Sequence, residues 1–283
     1  MKRISNPKAL GLHEIIEDPS SDKIYMVIPY CEDGQILEFN SEKEEFTYNE
    51  SLLDEERKPK MSEILKIAKE LMEGLYLLHE HDNVAHRDIK PDNILLSSKK
   101  PFIGDFGKSF ELSLSSENDY TTSIEGTPAY LPPECCTEES SEYSMKRADV
   151  WALGITLYNL VHLKMPFSLK GSQFELMNSI RKCEPNFSQD VEVPNTLLRI
   201  IKSMLAINPQ DRPMMKDVII SKDFEEFNEE IFNLKDDTDS CQLIIDQNIN
   251  MNIEGPLVDS SPLSSLMDCF EENFHCFSSS NNI

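Results

Sequence analysis

The sequence predicts an α+β fold in which a few short strands lead into a mainly α-helical body. Three observations carry that expectation. Ile64, Ile67, Ala68, Leu71, Met72, Leu75 and Leu78 recur at helical spacing, the mark of a helix with one buried face. Residues 149–163 are apolar nearly all round, which marks a fully buried helix. Before both, residues 10–16 and 23–30 are rich in Ile, Val, Leu and Tyr and are separated by the turn-forming run Glu17-Asp18-Pro19-Ser20-Ser21-Asp22, as in a β-hairpin.

The remaining elements follow in order. After a polar connector, Cys31 to Gly34, the pattern suggests a short helix over residues 35–40. Residues 41–60 are dense in Glu and Asp and read as a solvated loop. Ser62 is the expected N-cap of the first long helix, with Glu63 in its first turn. His79 and His81 fall near that helix's C-terminal end, where the backbone dipole favours a cation. Residues 94–103 read as a hairpin turning at Ser97-Ser98-Lys99-Lys100. Ser, Thr, Glu and Asn then dominate with no period, which predicts a mobile loop tethered at both ends over residues 105–134. Pro166 is the expected stop of the buried helix, and further helices are expected near residues 173–181, 195–207 and 214–220, punctuated by prolines. Residues 236–283 contain no Lys or Arg and are rich in Asp, Ser and Asn, so they are expected to be an acidic, largely disordered tail; Leu266, Met267, Cys269 and Phe270, with Phe274 and Phe277, form its one apolar cluster.

Composition excludes several classes. The formal net charge of the 283-residue chain is −24, which argues against nucleic acid or an anionic membrane surface as a partner. No run approaches the length of a membrane span, and residues 1–10 lack the apolar core of a secretory signal. The seven cysteines match no zinc spacing. Together these predict a reduced, cytoplasmic protein with free thiols, a nuclear location remaining open.

Chemistry concentrates in His86-Arg87-Asp88-Ile89-Lys90-Pro91-Asp92-Asn93 and, twelve residues after Asn93, in Asp105-Phe106-Gly107. This order and spacing supply what phosphoryl transfer from Mg-ATP needs. One carboxylate orients the attacking hydroxyl, a cation offsets phosphate charge, and an Asn and an Asp hold the metal.

On these motifs the chain resembles a eukaryotic protein kinase of the serine/threonine kind, from about Asn6 to about Phe224. The resemblance implies a kinase-like fold with a large helical lobe over residues 31–235 and the last two strands of a small β-rich lobe over residues 1–30. It implies Asp88 as the catalytic aspartate, Lys90 as the lysine facing the γ-phosphate, and Asn93 and Asp105 as ligands of Mg²⁺, a hard cation suited to oxygen donors. Ile28 matches the gatekeeper position, Cys31 the residue whose backbone meets adenine, and Leu95 the side chain under the ring. Leu12, His86 and Phe106 match members of the family's packed spine, with Gly107 completing the metal-binding triplet. Gly126 to Tyr130 and Pro132-Pro133-Glu134 resemble the end of the activation segment, Pro132 standing where the family has Ala. Glu134 is implied to pair with Arg212, and Asp149 to support the catalytic-loop backbone. Arg87 is implied to receive a phosphate carried by Thr121, Thr122 or Ser123, which would call for an upstream kinase; Thr127 is counted with these regulatory residues. Asp18-Pro19, the strand at residues 24–27 and Gly34 resemble the calcium/calmodulin-dependent protein kinase kinases and their fungal relatives. Calmodulin binding through the tail is not expected, since that tail has no basic residue. The implied substrate is a protein Ser or Thr hydroxyl.

One departure stands out. No Gly-x-Gly-x-x-Gly run occurs, and Lys2, Lys8 and Lys23 lie in no Val-Ala-Ile-Lys-like strand. The chain is therefore expected to start just before the small lobe's fourth strand, without the Gly-rich loop, strand lysine and first helix. Two readings stay open: a shortened copy of an active kinase, or a catalytically impaired pseudokinase acting as a binding or scaffold protein. Taken alone, the 283-residue chain is expected to fold poorly and to transfer little phosphate.

Overall fold

The computed structural model describes residues 4–18, 23–112, 119–137, 141–182, 185, 187 and 193–234. The expected acidic tail, residues 236–283, and its apolar cluster lie outside them.

The expected N-terminal hairpin is present. Strand β1 (Glu14–Glu17) pairs antiparallel with β2 (Ile24–Val27), Glu14 opposite Val27. Upstream, residues 8–10 run beside the strand that ends at Ile103, with Leu10 N–H donating to Ile103 O and Ile103 N–H to Lys8 O. Asn6 then docks on the first long helix by donating from Nδ2 to Gly74 O at 2.7 Å.

The segment after the connector corrects the sequence reading twice. Residues 35–40 are not helical: β3 (Gly34–Gln35) is followed by β4 (Leu37–Asn40), which pairs with β5 (Glu45–Tyr48). A short helix depends on tertiary packing rather than propensity, and here the packing favours extended chain: Ile36 N–H donates to Ile94 O, and Ile36 and Leu37 are buried. Residues 41–60 are likewise not a bare solvated loop. Phe46 is buried against Phe39 at a ring separation of 4.9 Å, Leu52 is fully buried, and Tyr48 donates to Leu160 O at 2.7 Å. The acids occupy the outer positions between these anchors, so charge hid the strand.

Helix α1 (Met61–Glu80) begins two residues before that cap implies, with Lys60 and not Ser62 at the cap position. The entry is fixed by backbone bonds: Lys60 N–H donates to Leu52 O, and Lys60 O accepts from Glu63 and Ile64. Its predicted stripe is the buried face, which packs on α2 (Met145–His162), α5 (Met215–Ile219) and α6 (Lys222–Asn233). Burial of each such Leu or Ile stabilises the fold by about 1.5–3 kcal/mol.

After α1 come β6 (Val84–Ala85), residues 86–93, and the predicted hairpin of β7 (Ile94–Ser97) and β8 (Lys100–Ile103). Strand β3 adds to β7, giving a three-stranded sheet in the order β3-β7-β8. Strand β9 (Phe110–Glu111) pairs with β6, and β10 (Tyr120–Thr121) pairs with β11 (Tyr143–Ser144). These two ladders correct the expectation of an unstructured loop from 105 to 134: outside residues 113–118, which are not described, the segment is tied to the body along its length.

Helix α2 starts four residues before Asp149, capped by the Ser144 side chain, which accepts from Arg147 N–H. It ends at Leu163, whose φ of +53° turns the chain before Pro166 is reached. Trp151 and Tyr158 on it are fully buried, as the all-round apolar pattern requires. Helices α3 (Gln173–Arg181), α4 (Asn195–Met204) and α5 fall where expected, α4 stopping three residues short of 207. Helix α6 was not anticipated, although Phe224, Phe227 and Ile231, its buried residues, recur at helical spacing. Among the described residues, no helix is long and apolar enough to cross a membrane.

Candidate active site

The site is built around the carboxylate of Asp149, in the second turn of α2 and 1% exposed. Its Oδ2 accepts the backbone N–H of His86 and its Oδ1 that of Arg87, both at 2.7 Å. His79 Nε2 lies 3.0 Å from the same Oδ2. Arg87 has a φ of +68°, a left-handed conformation that costs a non-glycine residue about 1–2 kcal/mol. The Asp149 carboxylate holds that turn, and the turn directs Asp88 into the site. His79, in the last turn of α1 as expected, is fully buried and braces Asp149.

His86 is fixed from both ring nitrogens. Nε2 donates to Gly104 O at 2.8 Å and Nδ1 accepts from Asp88 N–H at 3.3 Å, a pattern that the neutral ring satisfies. Burial lowers its pKa, against the raising effect of the Asp149 charge. The ring of Phe106 packs edge-on at 4.9 Å, so the His86 and Asp105 segments are joined.

Asp88, with a side chain 5% exposed, accepts from the Thr127 hydroxyl at 2.7 Å through Oδ1. Lys90 Nζ donates to that same hydroxyl at 3.0 Å and lies 3.9 Å from Asp88 Oδ2. Lys108 Nζ is nearer, 3.2 Å from Oδ2. Burial pushes the Asp88 carboxyl up, but the Thr127 hydrogen bond and the two lysines outweigh it and hold it below the usual aspartate value. Asn93 donates from Nδ2 to Asp88 O at 2.8 Å, which assigns its amide orientation and leaves Oδ1 for another partner. Asn93 O accepts Gly104 N–H, so Asn93 and Asp105 are held on adjoining backbone. Asp105 is exposed, has a φ of +54°, and accepts from Gly107 N–H at 3.2 Å. A Cβ on Gly107 would stand 3.1 Å from that carboxylate oxygen, so glycine allows the close approach.

The donor set fits a hard divalent cation: an exposed carboxylate and a carboxamide, with no cluster of three His, Cys, Asp or Glu among the described residues. Mg²⁺ is held in this manner, by one or two side chains together with phosphates and water.

On the other side, Leu95 of β7 and Leu10 both flank Gly104. Cys31 is half-buried and Ile28 is 44% exposed. Asp33 N–H donates to Leu96 O, tying the connector to β7.

The activation-segment residues divide. Arg87 donates from Nη2 to Ser123 O at 2.7 Å, and Tyr143 donates to the same oxygen at 2.9 Å. Thr122 and Ser123 are exposed, while the Thr121 hydroxyl accepts from Ser123 N–H. Gly126 has a φ of +124°, and a Cβ there would meet Arg87 O at 2.8 Å. Glu134 and Arg212 form a two-pronged pair at 2.8 and 3.1 Å, with Arg212 fully buried and stacked 5.0 Å over Trp151. Lys108 beside Asp88 is a site position that the sequence reading did not single out. Lys108 directly follows the Asp-Phe-Gly triplet, which was the available signal; for His79 the sequence showed the helix-end position but not the contact with Asp149.

This architecture and loop geometry are those of a protein kinase. The protein kinase domain family matches residues 1–224, and the chain belongs to that family. It is 32% identical over 220 residues to a probable serine/threonine-protein kinase of Dictyostelium discoideum, covering 77% of this chain and 28% of that relative. It is 33% identical over 220 residues to a calcium/calmodulin-dependent protein kinase kinase of Caenorhabditis elegans, covering 77% and 37%. It is 33% identical over 223 residues to the serine/threonine-protein kinase GRIK2 of Arabidopsis thaliana, covering 77% and 49%. The chain spans less than half the length of these relatives.

Proposed function

We propose that the chain carries the hydroxyl- and metal-positioning part of a serine/threonine protein kinase. The observation that bears most weight is the Asp88 carboxylate: ionised, held beside two lysines, and set on a backbone that Asp149 fixes. In this reading Mg-ATP, when bound, supplies the phosphoryl group and the divalent charge. Asn93 and Asp105 hold the metal, and Leu95, Cys31 and Ile28 line the adenine side. Asp88 orients the hydroxyl of a protein Ser or Thr and takes its proton late in the transfer. Lys90 offsets the charge of the transferred group, and Thr127 holds Asp88 and Lys90 in register. Arg87 already reaches the backbone of the segment bearing Thr121, Thr122 and Ser123, so a phosphate placed there by an upstream kinase would bring roughly −1.5 to −2 charges to its guanidinium. The free thiols Cys31, Cys135 and Cys136 agree with work in a reducing compartment such as the cytoplasm.

The test is transfer of labelled phosphate from Mg-ATP to a Ser/Thr-containing protein, read as the ratio of the unaltered protein to Asp88→Asn. Transfer that Asp88→Asn abolishes supports the kinase reading. Nucleotide binding with no Asp88-dependent transfer supports the pseudokinase.

A further inference from the structure

Two lysines share the Asp88 carboxylate, and they are not equivalent. Lys90 is pinned: its Nζ donates to the Thr127 hydroxyl, and its side chain is 20% exposed. Lys108 has one polar side-chain contact among the described residues, Asp88 Oδ2 at 3.2 Å, and its side chain is 39% exposed. An ion pair with a partner so open to solvent holds weakly. The four-carbon stem with its rotatable ammonium lets the charge change partners without moving the backbone.

The position of Lys108 gives that freedom a direction. It closes the short turn Phe106–Lys108, whose cap residue is Asp105, the candidate metal ligand. Its backbone thus follows that ligand by three residues, while its ammonium reaches the carboxylate that is to face the acceptor hydroxyl. A polyphosphate reaching this point brings its negative charge toward Asp88, and like charges repel unless a cation intervenes. Lys108 is the cation with a displaceable contact.

We propose that Lys108 is a nucleotide-contacting residue whose ammonium passes from Asp88 to the terminal phosphate of Mg-ATP, freeing Asp88 Oδ2 for the acceptor hydroxyl. The proposal rests on the kinase reading given above. It separates Lys108 from Lys90 by mobility: Lys90, pinned by Thr127, offsets the charge of the transferred group from a fixed position, and Lys108 is the cation that changes partner when the third phosphate arrives.

The experiment is a binding titration of the full chain with Mg²⁺ and either ADP or the imidodiphosphate analogue of ATP, which is not turned over. Lys108→Met is expected to weaken the analogue by about tenfold, the scale of one charge-assisted hydrogen bond, and to leave ADP within about twofold. Lys108→Arg is expected to keep most of the affinity for the analogue. Retained ADP binding shows in the same experiment that the variant's site is intact. Equal loss for both nucleotides, no loss, or a gain in analogue affinity would overturn the proposal while the unaltered protein's binding leaves the kinase reading standing. Failure of the unaltered protein to bind either nucleotide would overturn the kinase reading and this proposal together.

Discussion

His79 Nε2 lies 3.0 Å from Asp149 Oδ2, joining the end of α1 to the carboxylate that carries the catalytic loop. The two residues are 70 positions apart and both are buried. That carboxylate also accepts the buried N–H of His86 and the part-buried N–H of Arg87. Asp149→Ala is expected to destabilise the protein by roughly 2–6 kcal/mol, since each orphaned buried N–H costs about 1–3 kcal/mol. Asp149→Asn keeps one acceptor oxygen and is expected to lose less. Denaturant unfolding of the two variants checks the order, and equal losses would show that the retained oxygen contributes nothing.

The Glu134–Arg212 pair behaves as one unit. Arg212 is fully buried, donates also to Ala206 O and Arg147 O, and lies over Trp151. Removing the carboxylate alone leaves that guanidinium charged in a dry site. Glu134→Ala is expected to cost about 3–5 kcal/mol. Urea unfolding measures it, and a loss below about 1 kcal/mol, the value of a surface pair, would contradict the structural role.

His162 should make stability fall in mild acid. It is buried beside Tyr158 and Phe187, and neither ring nitrogen has a hydrogen-bond partner among the described residues. Burial, helped by the nearby Lys164 charge, pushes its pKa from 6.5 down to about 4. Between those values the unfolded chain takes up a proton that the folded chain resists, so stability is lost as pH falls through that window. His162→Phe is expected to remove this share of the pH dependence. Melting curves from pH 7 to pH 4 test it, and parallel curves for the two proteins would contradict it.

What the sequence revealed follows from how local each signal was. Helices α1 and α2 could be read because a buried helix writes its pattern into adjacent turns. Strands β4 and β5 could not: Ile36 is extended because its N–H meets Ile94, almost sixty residues away, and the acids around Phe46 and Tyr48 masked the two inward side chains. In the site, Asp88, Asn93 and Asp105 were legible because their spacing is itself the motif. The partnership of Lys108 with Asp88 was not, since it depends on how the turn at Asp105 folds back. The partner of His79 was hidden for the same reason, Asp149 lying on another helix.

The central claim is that Asn93 and Asp105 hold a divalent metal that delivers ATP to Asp88. The most direct measurement is an ATP titration of the purified protein with Mg²⁺ and again with chelator, repeated for Asp105→Asn. The kinase account predicts that Mg²⁺ tightens ATP binding and that Asp105→Asn erases the gain. ATP affinity indifferent to Mg²⁺, or the same gain in Asp105→Asn, would contradict it.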